Sequence, residues 1–191
     1  MTRVLVLNGH PDSALHFLHA AADSYSAGAR EGGHEVRRLD AASLEFPLIR
    51  SERQFCEEAV PDNIAAVQEA ITWAEHIVVL FPLWLGELPA FFKAFLEQVA
   101  RPGFAFEPKT RGLPQGLLAG RSARVIVTMG MPAPVYALFY RAHGVKSFKR
   151  NILEFAGIHP VRYAIIGSVS GSGKHRTRWL ARLRKWGVQA N

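Results

Sequence analysis

Five short runs of apolar residues are spaced along the chain, and each has the length and composition of a β-strand. The run that follows His76, IVVLF, is apolar at every position, which is typical of a strand buried on both faces of a parallel sheet. The predicted strands are residues 3–8, 34–39, 76–81, 124–128 and 161–166.

Between these runs the apolar residues recur at intervals of three and four, as on one face of an α-helix. Gly32 and Gly33 end the first helical stretch, and Pro89 suits the first turn of the third, where its missing N–H would be unpaired in any case. The predicted helices are residues 15–29, 64–73, 90–100, 135–155 and 175–186. This alternation predicts a doubly wound α/β fold, with a parallel sheet, helices on both faces and a ligand at the carboxyl ends of the strands.

The chain has 191 residues, enough for one domain with a full core, so we expect residues 1–191 to form a single domain. No apolar run approaches the roughly 20 residues of a membrane span. Cys56 is the one cysteine, which excludes an intramolecular disulfide, and the N-terminus lacks the pattern of a secretory signal. We therefore expect a cytoplasmic protein.

The net charge is +7, and the excess of basic residues lies near the C-terminus. Residues 141–191 hold 11 Lys and Arg and a single acid, Glu154, whereas residues 1–140 hold 12 bases and 15 acids. The predicted basic helix 175–186 is amphipathic, with Trp179 and Trp186 among its arginines. This pattern fits a packed helix with a solvated face, a helix that docks on an anionic membrane or a transporter, or one that contacts cofactor phosphates. We expect no nucleic-acid binding, because no helix-turn-helix, zinc or RNA-binding motif accompanies the charge.

The loops after the first, third and fourth strands, residues 10–17, 82–86 and 128–132, form the candidate binding region. A G-x-G-x-x-G dinucleotide fingerprint is missing after the first strand, and the segment around Lys174 lacks the spacing of a Walker loop. A receiver domain needs an aspartate at the end of the third strand, where this chain has Phe81 and Pro82.

A flavin suits these loops better. Backbone N–H groups and the positive end of the first helix can bind a phosphate near His10 and Ser13. The loop around Trp84 can offer N–H groups to an isoalloxazine ring, and residues 128–131 can line the pyrimidine end of that ring. His16 and His19 lie three residues apart, but no cysteine or acidic cluster completes a metal shell, so we expect no metal site.

Longer motifs make the flavin hypothesis more specific. They are NGHPDS (8–13), FPLWLGELPAFFKAFLEQV (81–99), RPGFAFE (101–107), VTMG (127–130) and the spacing from Tyr136 to His143. With them, the chain resembles the flavodoxin-2 family, which includes diaphorase-type NAD(P)H:quinone oxidoreductases and modulators of drug activity. The resemblance implies a flavodoxin-like, five-stranded parallel sheet of order 2-1-3-4-5, FAD as the cofactor with FMN as the alternative, NADPH or NADH as the electron donor, and a homodimer.

The resemblance also implies roles for individual residues. Tyr136 and His143 match the pair that assists hydride transfer to the quinone. The positions that match cofactor contacts are His10, Ser13, His16, Phe17, Pro82, Leu83, Trp84, Leu85, Thr128 and Gly130. The chain departs from the family where Thr-Met-Gly-Met, residues 128–131, replaces Thr-Thr-Gly-Gly. The spacing from the tyrosine to the histidine is also one residue longer, and the first loop is rearranged around residues 13–17.

These observations support three functional hypotheses. In the first, NAD(P)H gives a hydride to flavin N5 and leaves, and a quinone or another flat aromatic acceptor then binds in the same place and is reduced. The second is a flavin-binding regulatory subunit of a membrane transporter, with the basic C-terminal helix as its contact surface. An electron-transfer flavodoxin ranks last, because carriers of that type are typically acidic and this chain is basic.

Overall fold

The computed structural model describes residues 1–109, 112 and 114–190, and five parallel strands form its central sheet. These strands are β1 (Arg3–Asn8), β2 (Glu35–Asp40), β3 (His76–Pro82), β6 (Ser122–Thr128) and β7 (Val161–Ile166). A small antiparallel ribbon of β4 (Phe106–Glu107) and β5 (Gln115–Gly116) lies in the connection that precedes β6. The order across the parallel sheet is β2-β1-β3-β6-β7. Counted among the parallel strands alone, this is 2-1-3-4-5, so the predicted α/β fold and strand order are confirmed.

Helices cover both faces of the sheet. They are α1 (Phe17–Glu31), α2 (Glu52–Cys56), α3 (Asp62–Trp73), α4 (Ala90–Val99), α5 (Ala133–Leu138), α6 (His143–Phe148) and α7 (Gly173–Gln189), with a 3₁₀ turn at Ala41–Ser43 and a π-helical turn at Lys149–Glu154. One apolar core joins the sheet to α1 and α7. The other joins the opposite face to α3, α4, α6 and the π-helical turn.

The central strand β3 is buried along its whole length, because β1 and β6 pair with its two edges and a helical layer covers each face. Successive side chains of a strand point to opposite faces, so a strand covered on both sides must be apolar throughout. Val78 and Leu80 accordingly belong to the core under α1 and α7, whereas Ile77 and Val79 belong to the core on the other face.

Helices α1 and α7 pack so closely that glycine is required at the contact. A Cβ atom at Gly28 would lie 2.0 Å from the backbone oxygen of Arg184, and one at Gly187 would lie 2.2 Å from the backbone oxygen of Tyr25. Helix α7 is therefore held against α1 at backbone distance. Within the described residues, no helix has the length and hydropathy needed to cross a bilayer.

The predicted helical region over residues 135–155 is helical over most of its length but is not one continuous helix. The chain forms α5, a break, α6 and then the π-helical turn, because Arg141 and Ala142 adopt φ values of 52° and 50°. A left-handed backbone interrupts the hydrogen-bond ladder of a helix. Neither residue is a glycine, so the sequence carries no signal for the break. The predicted first helix also starts too early, since His16 caps α1 and Phe17 is its first residue.

A buried polar cluster lies at the amino end of β3. One ring nitrogen of His76 is hydrogen-bonded to the Tyr25 hydroxyl at 3.1 Å, and the other is hydrogen-bonded to the Ser122 hydroxyl at 2.8 Å. Burial, followed by the positive charges of Arg124 and Arg162, lowers the pKa of His76 to about 4. Burial raises the pKa of Tyr25 to about 12. His76 is therefore neutral in the folded protein at neutral pH.

The first prediction concerns stability at acidic pH. In the unfolded chain His76 takes up its proton near pH 6.5, whereas in the folded chain it does so near pH 4, so between these values the unfolded state binds more protons. The free energy of unfolding should therefore fall as pH drops through this range, with His76 contributing about 3 kcal/mol. In denaturant titrations at several pH values, the free energy of unfolding of His76→Gln should fall less steeply with decreasing pH than that of the wild type. The exposed-histidine variant His143→Gln is the control and should keep the wild-type decline; an equal decline in all three proteins would contradict the assignment.

The second prediction concerns the contact between α1 and α7. Gly187→Ala should lower the free energy of unfolding by about 1–3 kcal/mol, because the added methyl group meets backbone atoms that cannot turn aside. Gly173→Ala is the matched control in the same helix, since a Cβ atom there meets nothing within 4 Å. Both are measured by denaturant unfolding, and equal stability of the two variants would disprove the close contact.

Candidate functional site

The three loops that follow β1, β3 and β6 meet at one edge of the sheet. Because β3 pairs with both β1 and β6, the carboxyl ends of these strands are neighbours. Backbone hydrogen bonds extend the strand pairing into the loops: Gly9 N–H donates to the carbonyl of Leu80 in β3 at 2.7 Å, and Leu83 N–H donates to the carbonyl of Thr128 at the end of β6 at 2.8 Å. This edge is where open α/β sheets bind their ligands.

Three histidine rings cluster in the loop after β1. The rings of His10 and His16 are stacked with centroids 4.2 Å apart, and His19 lies 5.5 Å from His10 and 6.0 Å from His16. His16 Nε2 is also 2.8 Å from a carboxylate oxygen of Asp12. Sequence reasoning missed Asp12, although its spacing of four residues from His16 was a usable signal. Of the other residues predicted here, Ser13 is exposed and Phe17 is half-buried at the start of α1.

Local hydrogen bonds fix His10 within this cluster. Its backbone N–H donates to the side-chain oxygen of Asn8 at 3.1 Å, and its Nδ1 accepts the N–H of Asp12 at 3.1 Å. Burial, and then the neighbouring His16, lower the pKa of His10. Nδ1 also lies 3.2 Å from the carbonyl oxygen of Asp12, so both contacts of this nitrogen stay within the loop, and Nε2 is the ring nitrogen left to meet a ligand.

The loop after β3 contains a tight turn. Trp84 and Glu87 exchange two backbone hydrogen bonds, of 2.9 and 3.0 Å, across Leu85 and Gly86. Both central residues have positive φ, 50° for Leu85 and 86° for Gly86, as in a type I′ hairpin turn. Leucine rarely adopts this conformation, so the backbone of Leu85 is strained.

This turn projects apolar side chains toward the first loop. Leu85 is fully exposed, and the half-exposed Trp84 meets the ring of His10 edge-on with centroids 6.2 Å apart. Pro82 is buried as the last residue of β3, and Leu83 is half-buried against the core. The structure thus brings His10, Trp84 and Leu85 to one region.

Tyr136 supports the turn at Leu85 and Gly86 from the core side. The ring is 2% exposed; its hydroxyl donates to the carbonyl of Gly86 at 3.3 Å and accepts the N–H of Val145 at 3.4 Å. Burial raises the pKa of Tyr136, so the hydroxyl keeps its proton. A Cβ atom at Gly144 would lie 2.3 Å from the same Gly86 carbonyl oxygen, so α6 begins in backbone contact with the turn. His143 is exposed beside this contact.

The loop after β6 leaves room for a ligand. Thr128 is buried at the end of the strand, whereas Gly130 is exposed and a Cβ atom there would meet nothing within 4 Å. In the part of the chain that the structure describes, the N–H groups of Leu85, Gly86 and Gly130 have no hydrogen-bond partner. Free N–H groups and open space beside an exposed indole fit the polar edge and the flat face of a flavin ring.

A groove of about 570 Å³ lies between the first turns of α1 and α7. Its lining includes His16, His19, Arg176 and Thr177. Both helices present their amino ends here, and a helix amino end attracts negative charge. The groove adjoins the three histidine rings and is suited to a phosphate group. Among the described residues, no group of three His, Cys, Asp or Glu side chains is arranged to hold a metal ion.

Comparisons with known proteins agree with this arrangement. The profile of the flavodoxin-2 family, described as having a flavodoxin-like fold, matches residues 2–188. An uncharacterized NAD(P)H oxidoreductase of Haemophilus influenzae is 25% identical over 169 residues, covering 86% of this chain and 83% of that protein. An FMN-dependent NADH:quinone oxidoreductase of Alteromonas mediterranea is 31% identical over 142 residues, covering 67% of each.

Among solved structures, the NAD(P)H:quinone oxidoreductase of Methanothermobacter marburgensis superposes with a TM-score of 0.82 at 22% identity, covering 100% of this chain and 99% of that one. This likeness concerns the fold. The family match extends over almost the whole chain and includes all three loops of the site. The chain therefore belongs to the flavodoxin-2 family.

Proposed function

We propose that the protein is a flavin-dependent oxidoreductase that passes electrons from NADH or NADPH to a quinone. The observation that carries this proposal is the turn at Leu85 and Gly86, whose free N–H groups lie beside the exposed Trp84 at the ligand-binding edge of the sheet. The relatives named as NAD(P)H and NADH:quinone oxidoreductases support the same reaction. When bound, the flavin accepts a hydride equivalent from the nicotinamide nucleotide and transfers it to the acceptor.

We propose FMN as the cofactor. The sequence favoured FAD with FMN as the alternative, but the relative whose name states its cofactor is FMN-dependent. FMN ends in one phosphate, which His10, His16 and the amino end of α1 would hold. The N–H groups of Leu85, Gly86 and Gly130 would bind the polar edge of the ring, with Trp84 beside it. The same relative's name favours NADH as the donor.

Each part of the turn then has a chemical task. Trp84 and Leu85 would provide an apolar wall for a flat acceptor and exclude water from it. Tyr136 would position the turn through its bond to the Gly86 carbonyl, rather than contact the acceptor directly. The exposed His143 would donate a hydrogen bond or a proton to the developing anionic oxygen of the acceptor.

We also propose that the protein forms a homodimer through an exposed apolar patch next to the site. Leu138 and Phe139 are 79% and 78% exposed, and the adjacent Val135 and Tyr140 are also exposed. Together they form an apolar patch on and just after α5, and a patch of this kind is typical of a protein interface. A second copy of the chain covering it would also enclose the acceptor site.

The regulatory-subunit hypothesis gains no support from relatives named as oxidoreductases. An electron-transfer flavodoxin likewise remains the lowest-ranked hypothesis, because the chain is strongly basic. The single domain over 1–191 and the cytoplasmic location stay predictions.

The proposed function is tested by loading the purified protein with FMN or FAD and following its absorption near 370 and 450 nm, the approximate bands of an oxidised flavin. We expect tighter binding of FMN, bleaching on anaerobic addition of NADH, and recovery on addition of a quinone. Substitution of Gly130 by Val fills the open space beside the loop and should weaken FMN binding at least tenfold in a fluorescence titration. A protein that binds neither flavin would disprove the proposal.

The predicted catalytic pair is tested by steady-state kinetics of the FMN-loaded protein. Tyr136→Phe and His143→Gln should each lower quinone turnover roughly tenfold or more, because one loses the support of the turn and the other a proton donor. Both variants should still bind FMN, with affinity unchanged in His143→Gln and lowered in Tyr136→Phe, because the turn that Tyr136 supports carries the N–H groups of Leu85 and Gly86. Tyr163→Phe, at an exposed tyrosine of β7, is the matched control and should keep wild-type turnover. Unchanged turnover in both test variants would remove the pair from the mechanism.

A further inference from the structure

The side of the molecule formed by the edge strand β7 carries a broad band of positive charge. Helix α7 flanks this strand on one face of the sheet, and α6 with the π-helical turn flanks it on the other. These elements carry eight exposed basic residues, and the band consists of six of them, without Lys174 and Arg184. We call these six the β7 face: Lys146, Arg150, Arg162, Arg178, Arg182 and Lys185.

The geometry of α7 places three of these residues in one row. Arg178, Arg182 and Lys185 are separated by four and three positions, so they share one face of the helix. The Arg182 guanidinium lies 5.2 Å from the ring centroid of Trp179 and 5.5 Å from that of Trp186. These cation–π contacts restrict the Arg182 side chain and keep its charge next to the two indole rings.

Strand β7 links this row to the other flank. Arg162 pairs in register with Arg124, whose guanidinium covers the ring of Trp186 at 4.4 Å. On the opposite side, Tyr163 lines a cleft of about 660 Å³ together with Lys146 and Arg150. The basic residues are therefore continuous across the edge of the sheet.

Within the described residues, none of the six side chains of the β7 face forms an ion pair with a carboxylate. Neighbouring basic residues do: Arg184 of α7 pairs with Glu31, and Lys149 pairs with Glu154. Like charges held close together repel one another, and within the row only the contact of Arg182 with the two indole rings favours the folded state. Arg162 alone has a local explanation, since a charge on an edge strand discourages pairing with another strand. The rows on the two flanks point to an external anionic partner.

We propose that the β7 face docks the protein on a bilayer that contains anionic phospholipids. The charges come from two helices and the strand between them, so a planar anionic surface can contact them together. Trp179 and Trp186 pack against the core beneath this face and carry the Arg182 guanidinium, so they hold one of these charges in place. The choice of a bilayer over a nucleic acid rests partly on the proposed function, because quinones are apolar and dissolve in membranes.

The experiment is sedimentation of the full chain with vesicles. One set contains phosphatidylcholine alone, and in the other about a third of the lipid is phosphatidylglycerol, an anionic content sufficient to attract basic segments. The protein should sediment with the anionic vesicles only, and salt of about 0.5 M should release it, since screening is then strong. Each basic residue near the surface contributes roughly a fivefold factor in partitioning, so Arg178→Gln/Arg182→Gln/Lys185→Gln should weaken binding about 100-fold.

The matched control removes the same net charge elsewhere. Arg30→Gln/Arg50→Gln/Lys109→Gln alters three exposed basic residues outside the β7 face and should bind anionic vesicles within about threefold of the wild type. Equal losses in the two triple variants would overturn the proposal, because net charge alone would then explain binding. So would equal sedimentation with both vesicle types, or displacement from anionic vesicles by a lower concentration of duplex DNA phosphate than of phosphatidylglycerol vesicles. Vesicle binding is measured without flavin, so its failure is distinct from failure of the proposed reaction.

Discussion

The position of β3 between β1 and β6 is the constraint on which the site depends. Parallel pairing on both sides leaves the carboxyl ends of three strands adjacent, so three loops distant in sequence meet at one edge of the sheet. The same position determines the composition of β3, because a strand enclosed on every side tolerates no exposed polar face. Its polar residue His76 lies at the amino end, where Tyr25 and Ser122 satisfy both ring nitrogens. The carboxyl end is thus free to carry Pro82 and the turn after it.

That turn is strained and is held by its surroundings. A leucine at φ 50° costs about 1 kcal/mol or more relative to a glycine, so the conformation persists only where neighbouring groups enforce it. Tyr136 binds the Gly86 carbonyl from one side, and the missing side chain of Gly144 lets α6 approach the same oxygen. The result is a rigid loop with free N–H groups, which is what a binding site needs if it is to avoid an ordering cost when the ligand arrives. Tyr136 therefore influences the site while its ring remains buried.

The parts of this arrangement that follow from local pattern could be predicted from the sequence. Strand β7 was predicted at residues 161–166, and the sheet order followed from family resemblance once five such strands alternated with helices. The break within the helical region 135–155 could not be predicted, since it depends on two non-glycine residues in a left-handed conformation that only tertiary contacts stabilise. The stacking of His10 on His16 could not be predicted either, because it depends on the conformation of the loop between them, which no residue type in that loop specifies. Tyr136 was singled out through the family resemblance, to which its spacing from His143 contributes, but its burial beneath the turn is a property of the packing.

The tight contact between α1 and α7 connects the core to the charged surface. Because Gly28 and Gly187 allow backbone approach, α7 has its apolar face fixed against the sheet and cannot rotate to bury its arginines. The basic residues on its outer face therefore keep fixed positions beside β7. The stacking of Arg182 on Trp179 and Trp186 further restricts the Arg182 side chain. A rigid cationic face loses less conformational entropy on meeting an anionic surface than a flexible tail of the same charge would lose. The row of Arg178, Arg182 and Lys185 lies outside the cleft that His143 shares with Lys146 and Arg150, so substitution in this row alters attachment while leaving the residues proposed for the chemistry unchanged.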